Sequence, residues 1–247
     1  VKGLITYKQA PKENLSRYID AYWSVKNSTA SDVKVPIVPD GCVDIVIKNG
    51  EIFLVGLMNF ASVVSIKSGD FYLGVRFKPA VMGSVLKCDI SVFNDALVPL
   101  EEIAPVLHDM LKNIDAKSLP FAKLDEIFEA LFCDVVLDER IMIATQTIFA
   151  QGGQIDIEQL SASYQLSQKQ LERLFVKHVG TTPKRFARFI RFIQTHKHLT
   201  KEGLDNLCIK VLEKGYYDQA HFNREYKSLT GLTPTSEAMS IFYNTKE

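Results

Sequence analysis

This sequence lacks the marks of a membrane, metal or disulfide protein. No apolar run reaches the roughly 18 residues that a membrane-spanning helix needs, and none carries the flanks of a signal peptide. Four residues are cysteine (Cys42, Cys88, Cys133 and Cys208). They are far apart and form no CxxC pair, which removes the usual zinc and redox motifs. A chain of 247 residues with 47% hydrophobic residues builds a core without a disulfide framework, so a reducing cytoplasm is the expected compartment. His196 and His198 are two residues apart, diverge on a helix and make a poor metal pair. No metal and no cofactor are expected. There is one tryptophan, and low-complexity stretches are absent. The sequence opens at Val1, so a start methionine, at least, is expected to precede it.

The net charge is zero, but it is unevenly spread. Residues 1–150 carry 15 basic and 19 acidic residues, against 14 and 10 in 151–247, where four of the five histidines also lie. A basic C-terminal part behind an acidic N-terminal part points to one end that meets nucleic acid.

The patterning divides the chain along similar lines. AYWSVKN, VDIVIKN, EIFLVG, SVVSIKSG and FYLGVRF are short, β-branched and aromatic, with PDG, NG and SGD turns between them. Asn49-Gly50 marks a hairpin. A short helix over Glu13–Ile19 is expected to interrupt the strands, and the whole to form a small barrel or sandwich. Helical spacing takes over after Pro79: Ala80–Leu86, then Leu100 to Leu111, Phe121 to Phe132, and a helix from Asp138 to Phe149. Gly152-Gly153 is the expected linker. The fold class is thus α+β: a β-rich domain over 1–112, a helical connector over 113–152, and an all-α domain over 153–247.

Within the last part, Leu160 and Tyr164 share one helix face and Ser167 is an N-cap. The helix that follows buries Leu171, Leu174 and Phe175 and leaves Gln168, Lys169, Glu172 and Arg173 facing out. That is helix-turn-helix logic, in which the second helix enters the major groove. The pattern recurs. Leu207, Cys208, Val211 and Leu212 form an apolar face, Gly215 turns the chain, and Asp218 caps a helix that buries Phe222 and Tyr226. Asp218 lies 51 residues after Ser167. Between the units Pro183 starts a helix through Ile193, long enough to hold two reading helices about one DNA turn, roughly 34 Å, apart.

SQKQLERLFVKHVGTTPKRFARFIRF and GYYDQAHFNREYKSLTGLTPTSE, with its closing G-x-T-P, resemble the two halves of an AraC-type DNA-binding domain over about residues 155–238. YxxxPxxxLxxYIxxYW, PDGCVDIVI and GVRFKPA are similar to a domain of unknown function found ahead of such domains. The resemblance implies a regulator of transcription that binds double-stranded promoter DNA and recruits RNA polymerase. Its N-terminal domain would sense a small-molecule effector or form a homodimer. The base-contacting positions map onto Lys169, Glu172 and Arg173 in the first unit and Gln219, His221, Asn223 and Arg224 in the second. Arg suits guanine, Gln and Asn suit adenine, and Glu accepts from cytosine. Lys184, Arg185 and Arg188 are placed for phosphates or for packing against the other domain. His178, His196 and His198 are expected to be solvated or to face phosphate. Two positions depart from the family. Gln165 stands where a turn glycine is common, and Lys210-Val211 replaces a large-then-small pair, so the first helix of the second unit is expected to be shifted or less stable.

In the N-terminal part, Trp23, Cys42 and Arg76 are the effector-site candidates. Trp23 is either a pocket wall or core. Arg76, if it points inward, needs an anionic partner, either an internal carboxylate or a ligand. Asp40-Gly41 reads as a turn. Cys42 is either a small core residue or a reactive thiol. The second reading opens the alternative function, an AraC-type domain fused to a cysteine-dependent module for DNA-alkylation repair or sensing. Its cysteines lack the clustering of a zinc-held acceptor thiol. The first reading, a sequence-specific regulator without enzymatic activity, is favoured.

Overall fold

The computed structural model describes residues 4–242, with side chains to residue 239. Eight strands form the N-terminal part: β1 (Leu4–Gln9), β2 (Ile19–Asn27), β3 (Val33–Ile37), β4 (Val43–Lys48), β5 (Glu51–Val55), β6 (Ser62–Ile66), β7 (Phe71–Phe77) and β8 (Leu97–Pro99). Six make one antiparallel sheet in the order β1-β2-β7-β4-β5-β8, and β3 pairs with β6. Neither sheet closes into a barrel, because β1 and β8 remain edges of the larger one. Asn49 and Gly50 both take positive φ (51° and 87°), the geometry of a two-residue hairpin turn, and set Lys48 opposite Glu51.

Alternation along β2, β4, β5 and β7 puts Tyr22, Ile45, Leu54, Val75 and Phe77 on one buried face. The described residues also hold the α-helices α1 (Val81–Val85), which precedes β8, then α2 (Leu100–Ile103), α3 (Pro105–Leu111), α4 (Phe121–Phe132), α5 (Glu139–Ala150), α6 (Ile157–Ser163), α7 (Gln168–Val179), α8 (Pro183–Glu202), α9 (Leu207–Glu213), α10 (Gln219–Thr230) and α11 (Ser236–Phe242). Helix α4 lies on the buried sheet face. Phe128 meets Phe77 edge-on at 5.5 Å, and Tyr22 donates its hydroxyl to the buried Asp125 carboxylate at 2.8 Å.

Three expectations change. The helix over 13–19 is only a 3-10 turn at Glu13–Leu15, because Ile19 is drawn into β2 opposite Phe77. The regular spacing over 100–111 is cut into α2 and α3 at Ala104, whose φ of −147° suits the residue before Pro105. Gly152 and Gly153 do not form a loose linker. They take φ of 61° and 73° to cap α5, and a Cβ on Gly153 would stand 2.1 Å from the Ala187 carbonyl oxygen of α8.

Packing does not break at residues 112 or 152. One apolar cluster runs from the sheet through α4 and α5 to Leu171, Phe175 and Phe186. A second holds Phe189, Phe192, Val211, Phe222 and Tyr226, together with Leu57 from the loop after β5. The same loop hydrogen-bonds through Ala61 N–H to the Leu229 carbonyl of α10 at 2.7 Å, and the Asn94 amide donates to the Gly180 carbonyl at 2.7 Å. The range 153–247 ends in five residues that lie outside the described ones.

Candidate nucleic-acid interface

The two candidate reading helices, α7 and α10, are positioned by local chemistry. Asp156 caps α6 by accepting from the Glu158 and Gln159 amides. The chain then turns at Gln165, whose φ of +56° is left-handed. A non-glycine residue there costs about 1–2 kcal/mol. Gln165→Gly, after its own loss of unfolded-chain entropy of about 0.5–1 kcal/mol, is therefore expected to raise the thermal midpoint by about 1–3 °C. An unchanged or lower midpoint in thermal denaturation means that the turn is unstrained. Ser167 and Gln170 form a reciprocal capping box: the Gln170 amide donates to Ser167 Oγ at 3.3 Å and the Ser167 amide to Gln170 Oε1 at 2.8 Å.

Helix α7 buries Leu171, Phe175 and Val179. Gln168, Lys169, Glu172 and Arg173 are exposed, and among the described residues none has a side-chain hydrogen bond or ion pair. Gly180 (φ 92°) ends the helix, and Thr182 with Pro183 starts α8, whose 20 residues span about 30 Å.

In the second unit Gly215 (φ 79°) turns the chain and Asp218 accepts from the His221 amide at 2.6 Å. The step from turn to cap is one residue longer than in the first unit, 215 to 218 against 165 to 167. Helix α9 therefore starts one residue further ahead of its following cap than α6 does. Lys210 has a role there: its Nζ donates to the Glu202 and Gly203 carbonyls at 3.0 Å and so caps the end of α8. Gln219 and Arg224 are exposed without partners among the described residues. His221 is half-buried. Its Nδ1 accepts from the Tyr217 amide at 3.3 Å, which leaves Nε2 as an N–H donor for an outside acceptor. Asn223 sits on the flank of α10 with Oδ1 buried and unpartnered, so a bidentate adenine contact requires its side chain to turn outward.

An open groove of about 940 Å³ runs between the units. It brings together Gln168, Glu172, Lys184, His221 and Arg224. Lys169, Arg173, Gln219 and Asn223 do not line it. Arg185 faces elsewhere: its guanidinium stacks over Phe60 at 5.4 Å and Phe189 at 5.6 Å and reaches the Asn59 carbonyl at 3.5 Å. It packs against the N-terminal domain. Arg188 is held by a residue that sequence reasoning missed. Glu225, buried on α10, accepts from Arg188 Nε at 2.9 Å, from Arg191 Nη2 at 3.0 Å and from the Tyr216 hydroxyl at 2.8 Å. Its partners are up to 37 residues away, and no local pattern announces them.

The histidine expectations need correction. His196 is buried against Phe192 and Tyr226, where desolvation lowers its pKa to about 4. His178 is half-buried at the junction of α7 with α1, its Nδ1 3.4 Å from Ser84 Oγ, and burial lowers its pKa too. His198 lies beside Glu202 at 3.4 Å.

In the N-terminal domain, Trp23, Asp44 and Arg76 share the other face of the sheet. Arg76 has the internal partners its charge requires: Asp40 at 2.8 Å and Asp44 at 3.1 Å. Asp44 also accepts from the Trp23 indole N–H at 3.0 Å. Trp23 lies flat on Gly74, where a Cβ would come within 2.0 Å of its ring, so it packs on the sheet. Gly41 (φ 77°) makes the expected turn, against Phe186 of α8. Burial pushes the Cys42 thiol well up, and the Asp40 carboxylate pushes it further. A thiol held protonated is a poor nucleophile, and this disfavours the alkylation-acceptor alternative.

Comparison with known proteins matches residues 7–99 to a domain of unknown function (DUF6597) and residues 160–237 to a helix-turn-helix domain. An uncharacterized HTH-type transcriptional regulator of Haemophilus influenzae is 30% identical over 105 residues, 42% of this chain and 35% of that protein. The HTH-type transcriptional regulator GbdR of Pseudomonas aeruginosa is 28% identical over 83 residues, 34% of this chain and 22% of that one. The chain therefore matches about a third or less of the length of these relatives. Among solved structures, ToxT of Vibrio cholerae overlays 99% of this chain and 100% of its own, at 15% identity and a loose TM-score of 0.42.

Proposed function

We propose that this chain, an AraC-type helix-turn-helix protein with an N-terminal domain of unknown function, regulates transcription by reading two neighbouring segments of duplex DNA with α7 and α10. The observation that carries this reading is the pair of capped helices with unpartnered polar residues, Lys169 and Arg173 on one and Gln219 and Arg224 on the other, joined by the single helix α8. Residues 153–247 form the DNA-reading part, residues 1–112 respond to a small molecule or to a second copy, and residues 113–152 join them. RNA polymerase is the expected downstream partner. A shift between arrangements of the two parts would couple effector to DNA, and their shared core supplies the mechanical link. Arg76, neutralised by Asp40 and Asp44, does not serve an anionic effector in this arrangement. No helix of the described residues is long and apolar enough to cross a membrane.

Selection of bound duplexes from random DNA at a stated salt concentration tests the reading. Two substitutions then separate base from backbone contacts. Arg173→Ala is expected to relax preference at one base position, at a cost of about 1–3 kcal/mol on the selected sequence. Lys184→Ala is expected to weaken all sequences alike and to reduce the slope of log affinity against log salt by about 1. If Arg173→Ala lowers all sequences equally, Arg173 belongs to the backbone contacts. If the full chain selects no sequence even in dilute buffer, the function is wrong.

A further inference from the structure

We infer that Glu225 is a positioning residue that sets the angle between the second reading helix and α8, and through it the spacing between the two DNA segments that the chain accepts. The inference rests on the duplex-reading function proposed above. Glu225 touches no DNA itself. It is 3% exposed, and its two oxygens accept from four donor contacts: Arg188 Nε at 2.9 Å, Arg191 Nη2 at 3.0 and 3.3 Å, and the Tyr216 hydroxyl at 2.8 Å. Arg188 and Arg191 belong to α8, Tyr216 to the turn before α10, and Glu225 to α10 itself. One carboxylate thus ties three segments together. The Arg191 guanidinium also lies 4.7 Å from the Tyr216 ring centre, and that ring packs edge-on against Phe222 at 5.1 Å.

The two units are held differently. With the 51-residue offset between the caps, the position of Glu225 corresponds to Leu174 in the first unit, a half-buried apolar residue packed on the main core. Helix α7 is wedged from several sides, by α1, α5 and α8 and by Phe186 against Phe175 at 6.1 Å. Helix α10 has thinner support: among the described residues α9 contributes Val211 as its one buried residue, and the N-terminal domain meets this cluster through Val38 and the loop around Leu57 and Ala61. Apolar contact resists separation but tolerates sliding. A carboxylate saturated by directional donors does not.

Magnitudes favour a role in specificity. A buried ion pair adds little net stability, because desolvation offsets attraction, and its best-attested use is to fix register. The register at stake is demanding: one base pair moves the second segment by about 3.4 Å along the duplex and about 35° around it. The arrangement also withdraws Arg188 and Arg191 from phosphate binding, which leaves Lys184 and Arg224 as cations of the groove without carboxylate partners among the described residues.

The test uses the full chain and the duplex it selects from random DNA, together with versions carrying one base pair inserted or deleted between the two contacted segments. For wild type, the spacing change is expected to cost about 30-fold or more in affinity, at least the middle of the range for a single-position defect. For Glu225→Gln, binding to the selected duplex falls about 10-fold, but the further loss on changing the spacing is below about 5-fold. Tyr216→Phe, which removes one donor and keeps the ring, is expected to fall between the two and decides the matter if Glu225→Gln does not fold. A duplex carrying only the first segment should bind all folded variants equally. A spacing penalty as steep in the variants as in wild type overturns the inference and leaves the duplex-reading function intact. A wild type indifferent to spacing overturns it as well. Failure of wild type to select any duplex overturns the function itself, and Glu225 falls with it.

Discussion

Leu57→Ala should cost the full chain about 3–4 kcal/mol of stability and lower its thermal midpoint by roughly 6–15 °C, although the residue lies far along the chain from the helices it supports, the first of which begins at Pro183. Leu57 is fully buried, in the cluster that holds Phe189, Phe192, Val211, Phe222 and Tyr226. A methyl side chain there leaves a cavity against the second helix-turn-helix unit. Val106, which is 74% exposed, provides the control: Val106→Ala is expected to stay within about 0.5 kcal/mol. The same reasoning covers a fragment of residues 153–247. Without the N-terminal domain it exposes the faces of Phe189 and Phe175 that now meet Leu57 and the main core. Such a fragment should melt without a cooperative transition and bind a hydrophobic dye. A Leu57→Ala loss below about 1 kcal/mol, or a cooperative fragment, means that the two parts merely rest on each other.

The second large effect is a loss of stability in mild acid, in which His196 has the largest share and His178 a smaller one. His196 lies on the inner side of α8, stacked on Phe192 at 5.8 Å and near Tyr226 at 6.1 Å, and desolvation lowers its pKa to about 4. In the unfolded chain an ordinary histidine takes up its proton near pH 6.5. Between these values the unfolded state binds a proton that the folded state refuses. The contribution of His196 is therefore fully present above about pH 6.5 and is lost as the pH falls towards 4, by roughly 3 kcal/mol in all. Denaturant titrations at pH 7, 6, 5 and 4 on wild type and His196→Leu measure this directly. The variant should show a shallower decline between 6.5 and 5, what remains there coming from His178, whose pKa burial also lowers, before the carboxylate-driven loss at lower pH. Parallel pH profiles for the two proteins would place the acid sensitivity elsewhere.

Both effects arise from contacts that span the chain, and this separates what the primary structure discloses from what it hides. Ser167, Asp218, Asp138 and Pro183 start their helices by bonding to, or fixing the backbone of, residues within a turn of themselves, so each can be read where it stands. The same holds for the Asn49-Gly50 hairpin and for the outward faces of α7 and α10, whose alternation of apolar and polar residues follows the helical period. β1, β3 and β8 are not legible in the sequence, because each is a short edge strand, half solvated and with little periodic signal. Ile19 went from expected helix to strand because its pairing with Phe77 outweighs a weak local preference.

The amino-acid sequence by itself determined the element types, the duplicated helix-turn-helix and the polar faces, since these depend on neighbours three or four residues apart. Only the tertiary structure decided that Glu225 finds two arginines, that Arg76 is neutralised by Asp40 and Asp44, that His196 is buried and that Leu57 belongs to a distant unit. Such pairings depend on which surfaces the chain brings together on closing its core, and a charge or an apolar side chain carries no mark of the partner it will meet.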